Sequence, residues 1–306
     1  MGEVLVVGEA LVDIVSSGNG ARSEHPGGSP ANVALGLARL GHSTSLLTRI
    51  GDDARGTKIR QLLEASGVRL VDGSVTSART STATATLDAA GVATYDFDLA
   101  WSLPEEAGLG SATTLHTGSI AAFLQPGGDA VLRMVETAAG RATVSYDPNV
   151  RPQLMGTPDQ ARVRIERIVA RSDVVKVSDE DLAWLAPGEE PLDVARGWLA
   201  TGPAMIVITL GGAGATGLVA AGTAHATAPT VTVADTVGAG DAFMSGLLDA
   251  LATADLLGPD RADALRAVDP ARLEGMVRHA ARVAAFTCTR SGAQPPTRAE
   301  LEAWTP

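Results

Sequence analysis

Asp235-Thr236-Val237-Gly238-Ala239-Gly240-Asp241 runs straight into the apolar segment Ala242–Leu251. Three small residues and an acid at the start of a helix make an anion cradle with a carboxylate beside it. Backbone N–H groups in the first turn lack helical partners and carry the positive end of the macrodipole, so they suit a phosphate. Gly238 and Gly240 let the backbone turn tightly and come close to an oxyanion. Asp241 then stands where a hydroxyl attacking that phosphate loses its proton. The bland alternative is a glycine-rich turn with Asp241 as a helix cap.

A second stretch, Gly27-Gly28-Ser29-Pro30-Ala31-Asn32-Val33-Ala34, continues to Leu37-Ala38-Arg39-Leu40-Gly41, about 200 residues earlier. In this order and at this separation the two runs resemble the paired signatures of the ribokinase-like (PfkB) carbohydrate kinases, with the fructokinase-like branch the nearest match. The likeness extends from the opening strand to the Gly292 region. It implies transfer of the γ-phosphoryl group of ATP to a hydroxyl of a monosaccharide, fructose first, with Mg²⁺ as cofactor. No GxxxxGK[ST] motif occurs, so the Gly238–Asp241 loop must hold the phosphate. The same motifs admit ribose, 2-keto-3-deoxygluconate or a nucleoside as acceptor, and a sugar sensor that has lost turnover.

Length and composition agree with one α/β domain over residues 1–306. Apolar residues make up 45% of the chain but aromatics only 3%, so the core must be built from Ala, Val, Leu and Ile. A formal charge of −11 disfavours nucleic acid and anionic membranes as partners. An anionic nucleotide then needs a locally positive site or a metal ion. The single cysteine, Cys288, excludes an intrachain disulfide, and the five histidines show no paired ligand spacing. No signal-like or membrane-spanning run is apparent, so a soluble cytoplasmic enzyme is expected.

The pattern alternates strand and helix. Val4–Val7 reads as a buried strand, Ala31–Leu40 as a helix closed by Gly41, and Ser45–Ile50 as a strand. Gly56–Ser66 follows as a helix and Val68–Val71 as a strand. Later strands are expected at Thr143–Tyr146, Val174–Val177 and Met205–Leu210, and a late helix buries Leu273, Met276, Val277, Ala280, Val283 and Ala284. This predicts a doubly wound, mostly parallel sheet flanked by helices, with ligands beyond the C-terminal strand ends. Thr80–Leu87 and Val92–Leu99 break the rhythm as a hairpin across Asp88–Gly91, with Ala93, Tyr95, Phe97 and Leu99 on one face. Val12–Val15 has no evident partner. By resemblance, about 10–16 and 79–100 form a small β lid over the sugar; an ordinary edge hairpin is the other reading. The lid's apolar face could cover the site or join a homodimer.

Asp13, an acid between Val12 and Ile14, must be paired or exposed at a site; the resemblance makes it an acceptor for sugar hydroxyls. Gly27 and Gly28 bring amides near a ligand, and Asn32 offers both donor and acceptor. Asp147-Pro148-Asn149-Val150-Arg151 resembles the DxNxR stretch of fructokinase-like members, where the arginine approaches substrate, although a rim salt bridge is the alternative. Lys176-Val177-Ser178-Asp179-Glu180-Asp181 lies where relatives carry an NxxE stretch linked to Mg²⁺ and phosphate. Here Ser178 replaces the Asn and Asp181 the Glu. Asp181 is thus a metal candidate, and Lys176 and Ser178 are nucleotide-side candidates, beside the alternative of an acid cluster capped by Ser178.

Gly212–Gly217 fits GxGxxG, but Leu218–Thr223 reads as strand into turn rather than the helix a dinucleotide site needs. By resemblance, Thr209, Gly211 and Gly214 form the ATP-binding wall, and Ala285–Gly292 closes the adenine pocket. Several relatives hold a monovalent cation such as K⁺ between the loops that correspond to Asp235 and Gly292. Asp235 would serve it here, or act only as a turn acid.

Overall fold

Val4–Val7 is buried at all four positions, and the topology turns on it. In the computed structural model, which describes residues 2–17, 22–87, 93–104 and 106–306, this strand pairs in parallel with Thr44–Leu47 on one side and Thr114–Gly118 on the other. Beyond Thr44–Leu47 lies Val68–Leu70. Beyond Thr114–Gly118 come Thr143–Asp147, Val174–Ser178 and Met205–Thr209, all parallel. The antiparallel strands Ala215–Val219 and Gly222–Ala226 complete a nine-stranded sheet. Strand order therefore reverses between Val4–Val7 and Thr114–Gly118, and a crevice opens outside their C-terminal ends.

Helices cover both faces. Ser29–Arg39, Ala54–Ala65, Ala239–Thr253 and Pro270–Cys288 bury one apolar cluster, and Gly127–Ala138, Pro158–Val169, Asp179–Leu185 and Pro191–Leu199 bury the other. Val, Leu, Ile and Ala dominate both clusters, as the scarcity of aromatics requires. The helix Ser29–Arg39 ends as its sequence predicts. Gly41, at φ 90°, donates to Ala38 O and His42 donates to Leu37 O, which is a Schellman closure.

Two expectations need correction. Ser45–Ile50 is not one strand: Thr44–Leu47 joins the main sheet, while Ile50–Gly51 pairs with Val75–Thr76. Val12–Val15 has no partner in the main sheet, as expected, and belongs to a second, four-stranded one. Leu11–Ser17 lies between Arg22–Gly27, antiparallel, and Thr82–Leu87, parallel, with Ala93–Asp98 outermost. Arg22–Gly27 was hidden because an edge strand with solvent-facing charges carries no apolar alternation. The expected turn at Gly27–Pro30 is accordingly the end of that strand and the start of the next helix. The turn Asp88–Gly91 and the side chain of Tyr95 lie outside the described residues.

Candidate active site

The helix Ala239–Thr253 begins after Gly238, which takes a left-handed conformation at φ 74°. Its first amide, that of Ala239, donates to Thr236 O at 3.1 Å. The amides of Gly238, Gly240 and Asp241 find no acceptor among the described residues, so three donors remain free at this helix start. The Asp241 side chain is 6% exposed. Its Oδ1 accepts from Ser29 Oγ at 2.7 Å and its Oδ2 from Asn32 Nδ2 at 2.8 Å. Asn149 Nδ2 lies 3.5 Å from Oδ1. A carboxylate has about four acceptor sites, so one more hydroxyl can still bind.

Ser29 and Asn32 stand one turn apart on the helix Ser29–Arg39, directly after Gly28. Gly28 has φ 104°, and a Cβ there would meet Glu9 O at 2.5 Å; the chain passes from lid strand to helix through a space only glycine fits. Asp13 faces the same space from the lid, its Oδ2 lying 2.0 Å from where a Cβ on Gly27 would be. Burial pushes the pKa of Asp13 up to about 6; the nearby Asp241 adds to this, and Arg151 and His25 oppose it. Cross-strand register sets Ala83 beside Asp13 and Phe97 beside Ala83, so one face of the lid carries all three. The structure therefore brings Asp13, Gly27, Gly28, Asn32 and Asp241 together across more than 200 residues of sequence.

Arg151 is exposed and folds back on its own loop. Its Nη1 donates to Asn149 Oδ1 at 2.7 Å and to Val150 O at 2.9 Å. Its positive charge is nonetheless felt by both Asp13 and Glu9, which sets it beside the same basin.

On the other side of Gly240 lies a pocket of about 550 Å³, within the range for small-molecule sites. Lys176, Ser178, Thr209, Gly211, Gly214 and Gly240 all line it, with Val231, Val233, Phe243 and Cys288 on its apolar side. The stretch after Gly217 is a hairpin, not a helix, which removes the dinucleotide reading of GxGxxG. The hydroxyl of Ser178 caps the helix Asp179–Leu185 by accepting from Asp181 N at 3.0 Å. Asp181 in turn accepts from Val150 N at 3.0 Å and Ser178 N at 3.3 Å. Both of its oxygens thus bind amides and tie the Asp147–Arg151 loop to this helix. Asp235 works similarly: Oδ2 accepts from Gly292 N at 2.8 Å and Oδ1 from Val237 N at 3.0 Å. The bond from Gly292 is the main reason its carboxyl is held below the usual range. Among the described residues no three His, Cys, Asp or Glu side chains form a metal cage.

Four participants were not singled out from the sequence. Ser29 lay inside a quoted motif, but its contact depends on the arrival of a helix 212 residues later. Asn149 likewise sat inside DPNVR. Glu9, 6% exposed, accepts from Ala121 N at 3.1 Å across the switch point, and burial pushes its pKa up to about 7. Asp147 forms a buried ion pair with Lys176 at 2.8 Å. The signal for this pair was available: each of the two strands carries a single charge, and two lone charges in buried strands must meet each other.

Comparison with known proteins matches this geometry. Residues 1–300 match the pfkB family of carbohydrate kinases. A fructokinase of Klebsiella pneumoniae is 34% identical over 275 residues, covering 86% of this chain and 88% of that protein. The crystal structure of a fructokinase with bound ATP from Xylella fastidiosa superposes with a TM-score of 0.84 at 25% identity, covering 98% of this chain and 97% of the other. A double mutant of Vibrio cholerae fructokinase, in fructose-, ADP- and potassium-bound form, gives 0.78 at 27% identity over 99% of this chain and 98% of its own. With an aspartate at a glycine-rich helix start and a family match over nearly its whole length, the chain belongs to the pfkB family of carbohydrate kinases.

Proposed function

We propose that this protein is an ATP-dependent fructokinase that moves the γ-phosphoryl group of ATP to a hydroxyl of fructose. One observation carries the reading. Asp241 lies between the lid-side cluster of Asp13, Ser29 and Asn32 and the pocket bounded by Gly240. A sugar on one side and a triphosphate on the other would meet at the first turn of the helix Ala239–Thr253. The fructokinases of Klebsiella, Xylella and Vibrio supply the substrate class.

In this reading Asp13, Asn32 and the Gly27–Gly28 backbone orient the sugar, and Arg151 swings from its loop to a sugar oxygen. Asp241 accepts the proton of the attacking hydroxyl. The transition state is loose, so an ordinary carboxylate suffices and little early deprotonation is needed. The free amides of Gly240 and Asp241 point at charge on the transferring group, a contribution of roughly 3 kcal/mol per preorganised donor in comparable sites. Thr209, Gly211 and Gly214 wall the nucleotide, and Lys176 and Ser178 border its phosphates. Mg²⁺ bound with the nucleotide neutralises phosphate charge. Such an ion takes few protein carboxylates and many phosphate and water oxygens, which suits a site without a cage. Asp179 and Glu180 line the pocket and would order its water, beside Asp181 with its oxygens already engaged.

Asp235 and the Gly292 loop are the candidate seat of a monovalent cation, in keeping with the potassium bound by the Vibrio protein. The lid is the candidate dimer surface, because Val15 on its face is 38% exposed; light scattering reads the mass. A cytoplasmic location belongs to the same reading, because the reaction draws on ATP. No helix among the described residues is long and apolar enough to cross a membrane.

The test is ADP release from Mg·ATP with fructose, ribose, tagatose, 2-keto-3-deoxygluconate and adenosine, in K⁺ and in choline buffers. Fructose is expected to lead. Asp241→Asn should lower kcat at least about a hundredfold with little change in sugar affinity, as loss of a general base does. Near-normal turnover in that variant would remove the base from Asp241. A different leading acceptor would move the substrate and leave the chemistry.

A further inference from the structure

Lys176 sits in the strand Val174–Ser178, in the centre of the sheet, and is 3% exposed. An ammonium at that depth normally exhausts its three donors on protein acceptors. Here the described residues supply one: Asp147 Oδ2 at 2.8 Å. The nitrogen rests against the first turn of the helix Ala239–Thr253, 3.1 Å from where a Cβ on Gly240 would lie, and it lines the pocket. Its charge therefore has the same sign as the helix end it touches. Two like-signed groups buried side by side are unfavourable unless an anion comes between them or beside them. Asp147, Asp181 and Asp241 supply negative charge around Lys176; although burial alone would lower its pKa, these carboxylates hold it above its usual range. Asp147 Oδ1 is held in turn by Asn149 N at 3.2 Å, so the partner of Lys176 is itself fixed.

Resting on the kinase reading above, we propose that Lys176 is a catalytic residue. Its two remaining N–H groups bind oxygens of the terminal phosphoryl group as that group moves, and Asp147 is its positioning residue. In the step, the acceptor oxygen forms a bond to the γ-phosphorus and the bond from that phosphorus to the β,γ-bridging oxygen breaks. The hydroxyl proton passes to Asp241 and the electron pair leaves with ADP. Lys176 stays protonated throughout. In a chain with no Walker lysine, a lysine reached from the middle of the sheet would do comparable work from the opposite direction. The same contact explains why position 240 is glycine, since a side chain there would press on the ammonium.

The rival account is that Lys176 only neutralises buried Asp147. The experiment separates the two with Lys176→Met, Asp147→Asn and the double variant, in the full-length protein. Readouts are kcat, both KM values, and affinity for ADP with and without aluminium fluoride, a mimic of the transferring phosphoryl group. Lys176→Met is expected to lower kcat a hundredfold or more, to keep ADP and fructose affinities within about threefold, and to lose the tightening that aluminium fluoride gives the wild type. The double variant restores charge balance and should fold, yet stay as slow as Lys176→Met. Recovery of turnover or of aluminium fluoride tightening in the double variant would overturn the proposal and leave Lys176 a counter-ion. Wild-type turnover with fructose tests the underlying kinase reading separately. If the wild type turned over no sugar, that reading would fall, while aluminium fluoride binding would still decide whether Lys176 holds a phosphoryl group.

Discussion

Asp13 shows how a single residue can serve function against stability. Burial raises its carboxyl to about 6 from an ordinary 3.8. A raised acid favours the folded state fully below the unfolded value and loses that contribution as pH rises through the folded one. At pH 7, ionised Asp13 therefore works against folding, while in the proposed function it is the acceptor for sugar hydroxyls. Two outcomes are expected of Asp13→Asn. The protein becomes more stable at pH 7 by on the order of 1–2 kcal/mol, and the gap closes below about pH 4. At the same time kcat/KM for fructose falls at least about tenfold, as expected when a site built to bind a hydroxyl loses its partner. In the wild type, kcat/KM should decline as pH drops through about 6 and the carboxylate is protonated. Urea unfolding and pH-rate profiles of both proteins read these effects. An unchanged acid limb in the variant would assign it instead to Asp147, which burial also pushes up to about 6.

Among elements, the junction between the lid strand Arg22–Gly27 and the helix Ser29–Arg39 is the most constrained. Asp241 is held by Ser29 and Asn32 in the first helical turn, so an error in the helix's entry angle passes directly to the carboxylate proposed as the base. Gly28 sets that angle, with φ 104° and the backbone of Glu9 and Ala10 against its open side. Gly28→Ala is expected to cost roughly 1–3 kcal/mol of stability from the left-handed conformation and the collision together. It should also weaken kcat/KM for fructose more than the affinity for ATP, because the nucleotide pocket is built on other elements. Thermal melts and separate KM measurements check both; equal loss on both substrates would mean that the helix is not the link. The lid has a similar tie at its other root. Asp53 caps the helix Ala54–Ala65 through Gly56 N at 2.8 Å and also accepts from Thr80 N at 2.9 Å, where the second lid segment begins.

At the scale of the whole molecule, Asp249 binds four segments together far from the pocket. Its side chain is 1% exposed, and it accepts from His42 Nε2 at 2.6 Å, His279 Nε2 at 2.7 Å and Arg298 Nη1 at 3.1 Å. Arg298 also donates to Leu40 O, so the segment after the helix Ser29–Arg39, the middle of Pro270–Cys288 and the start of Arg298–Ala303 meet at one carboxylate. Although burial would raise its pKa, these hydrogen bonds hold Asp249 well below the usual carboxylate range. A depressed acid stabilises above its unfolded value and loses that contribution as pH falls toward the folded one. Asp249→Asn should therefore destabilise by about 2–4 kcal/mol at pH 7, the figure kept moderate because Arg298 remains partly in water. The gap should narrow as pH falls below about 4. Urea unfolding at pH 7 and pH 3.5 measures it, and a gap that is constant with pH would show that lost packing, not charge, is responsible.

The strand and helix alternation, the helix stop at Gly41, the helix start after Gly238 and the rejection of a dinucleotide site at Gly212–Gly217 were all legible in the sequence. Each depends on neighbours within a few residues: periodicity, a glycine in a left-handed turn, or the absence of a following helix. Family resemblance extended that reading to a kinase. Arg22–Gly27 was illegible because its pairing energy comes from a strand elsewhere in the chain, and its own residues carry no buried face. The partners of Asp241, and the approach of Lys176 to Gly240, were illegible for a related reason. Ser29, Asn32, Asp147 and Gly240 become neighbours only after the sheet sets its strand order and the helix Ala239–Thr253 docks on it. Charge and hydrogen bonding act over a few ångströms of space, so which acid meets which donor was decided by the tertiary structure alone.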